Sequence, residues 1–94
     1  PGEILVPTVC LTEVPRFIER TLTRAEATRA ATAMRAQRVV DLTADLAVHS
    51  ARVGLRHRLP LADSIIYATA QMHDATLWTM DSDFRGLPEV RFFG

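Results

Sequence analysis

Leu59-Pro60-Leu61-Ala62-Asp63-Ser64-Ile65-Ile66-Tyr67-Ala68-Thr69-Ala70, followed by Leu77-Trp78-Thr79-Met80-Asp81-Ser82-Asp83-Phe84, is the stretch that decides the fold. Its first part places one carboxylate at the start of an apolar helix. Its second places two carboxylates just past the end of an apolar strand. In open α/β sheets ligands gather beyond the carboxyl ends of the strands. Acids delivered to one such rim suggest a divalent-metal site.

Upstream, Glu3-Ile4-Leu5-Val6 reads as a short buried strand. Pro7 suits the first turn of a helix, where its missing N–H costs nothing. That helix is expected from about Pro7 to Thr21, with Val9, Cys10, Val14, Phe17 and Ile18 on its apolar side. Pro15 inside it predicts a kink or a break into two pieces. Thr23 to Glu26 has the form of a capping box, opening an alanine-rich helix to about Ala36 or Gln37. Arg38 to Leu42 reads as a second strand. Thr43 then caps a helix from about Ala44 to Arg58. Its inner stripe is predicted as Leu46, Val53 and the Ala47/Ala51/Leu55 row. A largely buried helix from about Ala62 to His73, a strand at Thr76 to Thr79 and a last strand at Val90 to Phe93 complete the order.

Short strands alternating with helices imply an α/β sandwich with a mainly parallel sheet. At 94 residues, the chain is one small domain spanning residues 1–94. No apolar run approaches the roughly 18 residues that span a bilayer, so no membrane partner is expected. The one cysteine, Cys10, forms no internal disulfide, and a reducing cytoplasm is the default expectation. With 11 basic and 11 acidic residues, there is no overall basic field, and any nucleic-acid contact is local. Every basic residue is arginine, whose planar fork suits phosphate.

Without the kink at Pro15, Glu13, Arg16 and Arg20 share one helix face at spacings i, i+3 and i+7. Taken alone they also fit a surface ion pair. Asp63 alone also fits a helix-start carboxylate, and Asp81-Ser82-Asp83 also fits a turn. His49, His57 and His73 read as structural or solvent-facing, and Cys10 as a small core residue. Hard oxygen donors with few nitrogen or sulfur neighbours favour Mg²⁺ or Mn²⁺ over Zn²⁺. Such ions acidify a bound water and clamp a phosphodiester. An EF-hand reading of Asp81-x-Asp83 fails because Phe92 stands where a bidentate Glu is required. No Gly-rich phosphate loop is present.

Ile4-Leu5-Val6-Pro7 with Glu13, Leu59 to Asp63 with its apolar helix, and Leu77 to Phe84 together resemble PIN domains, most nearly the VapC-type ribonuclease toxins of toxin–antitoxin pairs. The likeness spans nearly the whole chain. It implies a three-layer α/β/α sandwich with sheet order 3-2-1-4-5. It also implies an acidic cluster holding Mg²⁺ or Mn²⁺, endoribonuclease activity on RNA, a homodimer, and inhibition by a cognate antitoxin. The resemblance assigns Glu13, Asp63 and Asp81 as metal-holding acids, Asp83 as an auxiliary acid, and Thr79 as a hydroxyl beside the site. Arg16, Arg20 and Arg85 are candidate phosphate contacts.

The family begins with a central strand ending in Asp, and this sequence opens at Pro1 without one. The expectation is therefore either a truncated or processed form, or a gap that a neighbouring chain fills by swapping or edge pairing. The alternative is a non-catalytic module that binds nucleic acid or antitoxin, having lost a metal ligand. A phosphatase of another α/β family is a third reading.

Overall fold

The computed structural model describes residues 4–75 and the strand segments 77–79 and 90–92. Its elements run β1 (Leu5–Pro7), α1 (Cys10–Thr21), α2 (Arg24–Arg35), β2 (Arg38–Val40), α3 (Ala44–His57), α4 (Leu61–Met72), β3 (Leu77–Thr79) and β4 (Val90–Phe92). This is the predicted order of an α/β chain. Among the described residues the strand pairing is parallel, β1 with β2 and β3 with β4. The sheet expected as one layer is seen, among the described residues, as two two-stranded sheets. The chain divides into two compact units, residues 1–42 and 43–94. Among the described residues no helix is long and apolar enough to cross a membrane.

In the first unit, β1 and β2 pair in the register Leu5↔Arg38, Val6↔Val39 and Pro7↔Val40. Parallel neighbours need a long crossover, and α1 with α2 provides it. Pro7 ends the strand and does not start the helix, contrary to the sequence expectation. The ladder explains why. Arg38 N–H donates to Ile4 O at 3.2 Å and Thr8 N–H donates to Val40 O at 3.0 Å. Even-numbered residues of β1 therefore face β2, and the amide position that Pro7 lacks points the other way. Thr8 Oγ1 also accepts from Leu42 N–H at 3.3 Å, which ties both strand ends together.

Pro15 does not divide α1, which is one 12-residue element. A proline there removes a single bond, to the Leu11 carbonyl, and the remaining ladder carries the helix. The predicted apolar side of α1 is not a core face: no α1 residue is buried, and Val14 and Phe17 are exposed. Val6 and Ala27 are the buried apolar residues of this unit among those described. Thr23 caps α2 as predicted, its Oγ1 accepting from Glu26 N–H at 3.1 Å. The Glu26 carboxylate lies 3.2 Å from Arg29, completing an ion pair along the same helix.

The second unit is built on the α3–α4 hairpin. Thr43 caps α3, its Oγ1 accepting from Leu46 N–H at 3.2 Å. The inner stripe of α3 is Leu46, Ser50 and Val53, joined by half-buried His57. Leu46 and Val53 are as the sequence reading expected, and the rest of that reading is corrected. Ala47, Ala51 and Leu55 are exposed, Leu55 to 83%. Residues 46, 50, 53 and 57 recur at i, i+4, i+7 and i+11, and the alanine row is turned one residue, about 100°, away from them. Ser50 tolerates burial because its Oγ donates to Leu46 O at 2.7 Å.

Helix α4 faces it with Ser64, Tyr67, Ala68 and Thr69 buried. Leu46, Val53, Tyr67 and Ala68 form one cluster, with Leu59 against it. The ring of His57 meets the Tyr67 ring edge-on, with centroids 5.3 Å apart at 88°. Arg58 ends α3 in the left-handed region at φ 56°, a conformation more often given to glycine, and Leu59 N–H donates back to Gly54 O at 3.0 Å. Two residues later Pro60 starts α4 without a capping side chain.

Candidate functional site

Glu13 stands in the first turn of α1 and is exposed. Because Pro15 leaves the helix continuous, Glu13, Arg16 and Arg20 keep the predicted common face, all three exposed. The ion pairs Arg24–Glu19 at 3.6 Å and Arg29–Glu26 at 3.2 Å involve none of them. Among the described residues, then, this row forms no ion pair of its own. The Arg20 guanidinium lies over the Phe17 ring, 5.7 Å from its centroid. That leaves a row of one carboxylate, two guanidinium groups and an exposed ring on a single helix face.

Cys10 lies one turn before Glu13. Burial, and secondarily the Glu13 carboxylate, push its thiol up from 9.0 to about 11. The thiolate is the reactive form, so at pH 8 alkylation by iodoacetamide should run roughly a hundred times slower than for an ordinary thiol. Glu13→Gln should accelerate it in part, because burial remains. A rate in native protein equal to that in urea would contradict this environment. The sign for stability follows: the unfolded thiol ionises first, so the folded state loses ground as pH rises from 9.0 toward about 11.

Asp63 is half-buried in the first turn of α4, where the positive end of the helix dipole favours a carboxylate. Its position follows from Pro60, which ends the preceding turn and begins this helix. Thr79 is the last residue of β3, opposite Phe92 of β4. Asp81, Asp83 and Arg85 follow it and lie outside the described residues. Among the described residues no three His, Cys, Asp or Glu side chains gather into a metal-sized group. Glu13 belongs to the first unit and Asp63 to the second. Each offers carboxylate oxygens at a helix start, a donor type that fits a hard divalent cation.

Sequence reasoning passed over a contact at Ser64, the residue after Asp63. A side chain at Gly54 of α3 would overlap Ser64 Oγ and bring its Cβ within 3.0 Å of Ser64 Cβ. A lone glycine inside a helical pattern is the signal that could have found it.

Comparison with known proteins gives three results. No curated protein matches the chain. Among solved structures, a chain of a toxin–antitoxin complex from Klebsiella pneumoniae is similar, with a TM-score of 0.81 and 27% identity, covering 97% of this chain and 74% of that one. The PIN domain family profile matches residues 1–90. With the match running almost end to end, the chain belongs to the PIN domain family.

Proposed function

We propose that this PIN domain is a metal-dependent endoribonuclease of the toxin class, restrained by a cognate antitoxin. The observation that carries the reading is the family match over residues 1–90, and the likeness to a chain of a toxin–antitoxin complex supports it. In this reading residues 1–94 act as one domain and Glu13, Asp63, Asp81 and Asp83 hold Mg²⁺ or Mn²⁺. Their all-oxygen chemistry suits either ion. Bound there, the metal supplies Lewis acidity toward an RNA phosphodiester.

The chain's own residues do the rest. Arg16, Arg20 and Arg85 bind backbone phosphates, and the exposure of the first two leaves their guanidinium forks open to them. The Thr79 hydroxyl orients the attacking water. Zero net charge makes the RNA contact local, so affinity falls with salt only as steeply as these few arginines require. The active form is a homodimer or edge-paired oligomer in the cytoplasm.

The test is RNA cleavage by the purified protein with Mn²⁺, and again with EDTA. Cleavage that requires Mn²⁺ is the expected result. Binding of RNA or antitoxin without cleavage and without Mn²⁺ uptake overturns the nuclease reading and favours a non-catalytic module.

A further inference from the structure

We propose that Ser64 is a positioning residue for Asp63, and that Gly54 exists as glycine to admit it. The inference rests on the reading of Asp63 as a metal ligand.

Helix α4 begins without the usual anchor. Its N-cap is Pro60, which has no side chain to accept from the first-turn amides. Ser64 supplies a different tie. Its Oγ donates to Pro60 O at 2.8 Å and lies 3.3 Å from Leu59 O, while its own N–H donates to Pro60 O at 2.9 Å. Leu59 in turn donates its N–H to Gly54 O at 3.0 Å. Gly54, Leu59 and Ser64 thus form a chain of contacts from the last turns of α3, through the connecting loop, to the first turns of α4. Ser64 is 4% exposed, and its Oγ fills the space that a side chain at Gly54 would take. The hydroxyl is confined by backbone on both sides, so the start of α4 has one seat against α3. Asp63 precedes Ser64 in the chain, and its Cα shares that seat.

Fold stability alone does not call for this hydroxyl. Alanine fits the same volume and is the better helix former, and a helical serine that donates to the i−4 carbonyl slightly weakens its helix. A metal-holding carboxylate, by contrast, has to be held to within roughly half an ångström. The Ser64–Leu59–Gly54 arrangement fits that second requirement.

The test is calorimetric titration with Mn²⁺ alone on the full chain, with a melting curve for each metal-free variant. Ser64→Ala should melt within a few degrees of the parent and bind Mn²⁺ about tenfold more weakly, the usual scale for groups that orient a ligand. Its kcat on RNA should fall while KM holds. Gly54→Ala should weaken Mn²⁺ binding in the same direction, and it carries the test if Ser64→Ala does not fold. In an Asp63→Asn background Ser64→Ala should have no further effect on Mn²⁺ binding or cleavage. If Asp63→Asn removes Mn²⁺ binding while both other variants stay within twofold of the parent, the positioning role is overturned and the site reading survives. An undiminished Ser64→Ala effect in the Asp63→Asn background also overturns it, as a structural loss. Mn²⁺ binding untouched by Asp63→Asn overturns the site reading itself.

Discussion

If the proposed function holds, Asp63→Asn should lower Mn²⁺-dependent RNA cleavage by roughly 100-fold or more, the scale expected when one group that stabilises developing charge is lost. The substitution keeps the shape, exchanges one accepting oxygen for a donating amide group and removes the negative charge, so it acts chiefly on the electrostatic role. Asparagine is also well tolerated near a helix start, where it can accept from free amides. The melting temperature should therefore move little, and a change in activity is not a change in the amount of folded protein. Asp81→Asn should match it in size, since the resemblance gives both residues the same task. Initial rates on a labelled RNA across a Mn²⁺ series are the measurement. The defect should be deepest at low Mn²⁺ and ease as the metal is raised, because a weakened site fills by mass action. Full activity in both variants would remove Asp63 and Asp81 from the site and leave the family membership standing.

Tyr67→Ala is the largest expected loss of stability. Tyr67 is fully buried, lies in the Leu46–Val53–Ala68 cluster and meets His57 edge-on. Truncating a buried aromatic side chain costs about 3–5 kcal/mol, through lost transfer energy and the cavity left behind. A domain of this size has about 5–15 kcal/mol in total, so a large part of its stability goes. Urea unfolding should show the midpoint falling steeply, and the protein should not tolerate a second core truncation. Leu55→Ala is the matched control. Leu55 is 83% exposed, so its removal should shift stability by no more than about 0.5 kcal/mol. A comparable loss in both variants would contradict the orientation of α3.

That contrast also marks what the sequence reveals and what it hides. Element order, the Thr23 and Thr43 caps and the first-turn position of Asp63 were all legible, because capping chemistry and proline placement act locally. The inner face of α3 was legible only in part: Leu46 and Val53 are buried as read, whereas Ala47, Ala51 and Leu55 are exposed. Ser50 looks polar and was passed over, yet it is buried, as are Ser64 and Thr69. In each case the hydroxyl donates to the carbonyl four residues back, Ser50 to Leu46, Ser64 to Pro60 and Thr69 to Ile65, and so enters the core without an unmet bond. Hydrophobic periodicity cannot see a hydroxyl satisfied by its own helix. Pro7 was misplaced for a related reason. Its tolerance in β1 depends on which way one amide faces in a ladder, and that is set by a partner strand more than thirty residues away. Of the candidate site, Asp63 falls at a helix start as read, whereas Glu13, expected about two turns into its helix, stands in the first turn because Pro7 belongs to β1 and the helix begins at Cys10. The contact between Gly54 and Ser64 is a property of two helices crossing, and no single stretch encodes it.

The shallow burial of α1 has a consequence for the lifetime of the protein. Segments with little buried apolar surface open locally at low free energy, while well-buried ones open only with the whole domain. Helix α1 has no buried residue, whereas α4 has four. Amide exchange in α1 should therefore run ahead of exchange in α4, and trypsin should cut first at Arg16 or Arg20. These two arginines, with Glu13, are also the α1 residues assigned to substrate and metal. A bound RNA or metal ion would then be recorded as slowed proteolysis of this one helix, and the unliganded protein would be the form the cell clears first.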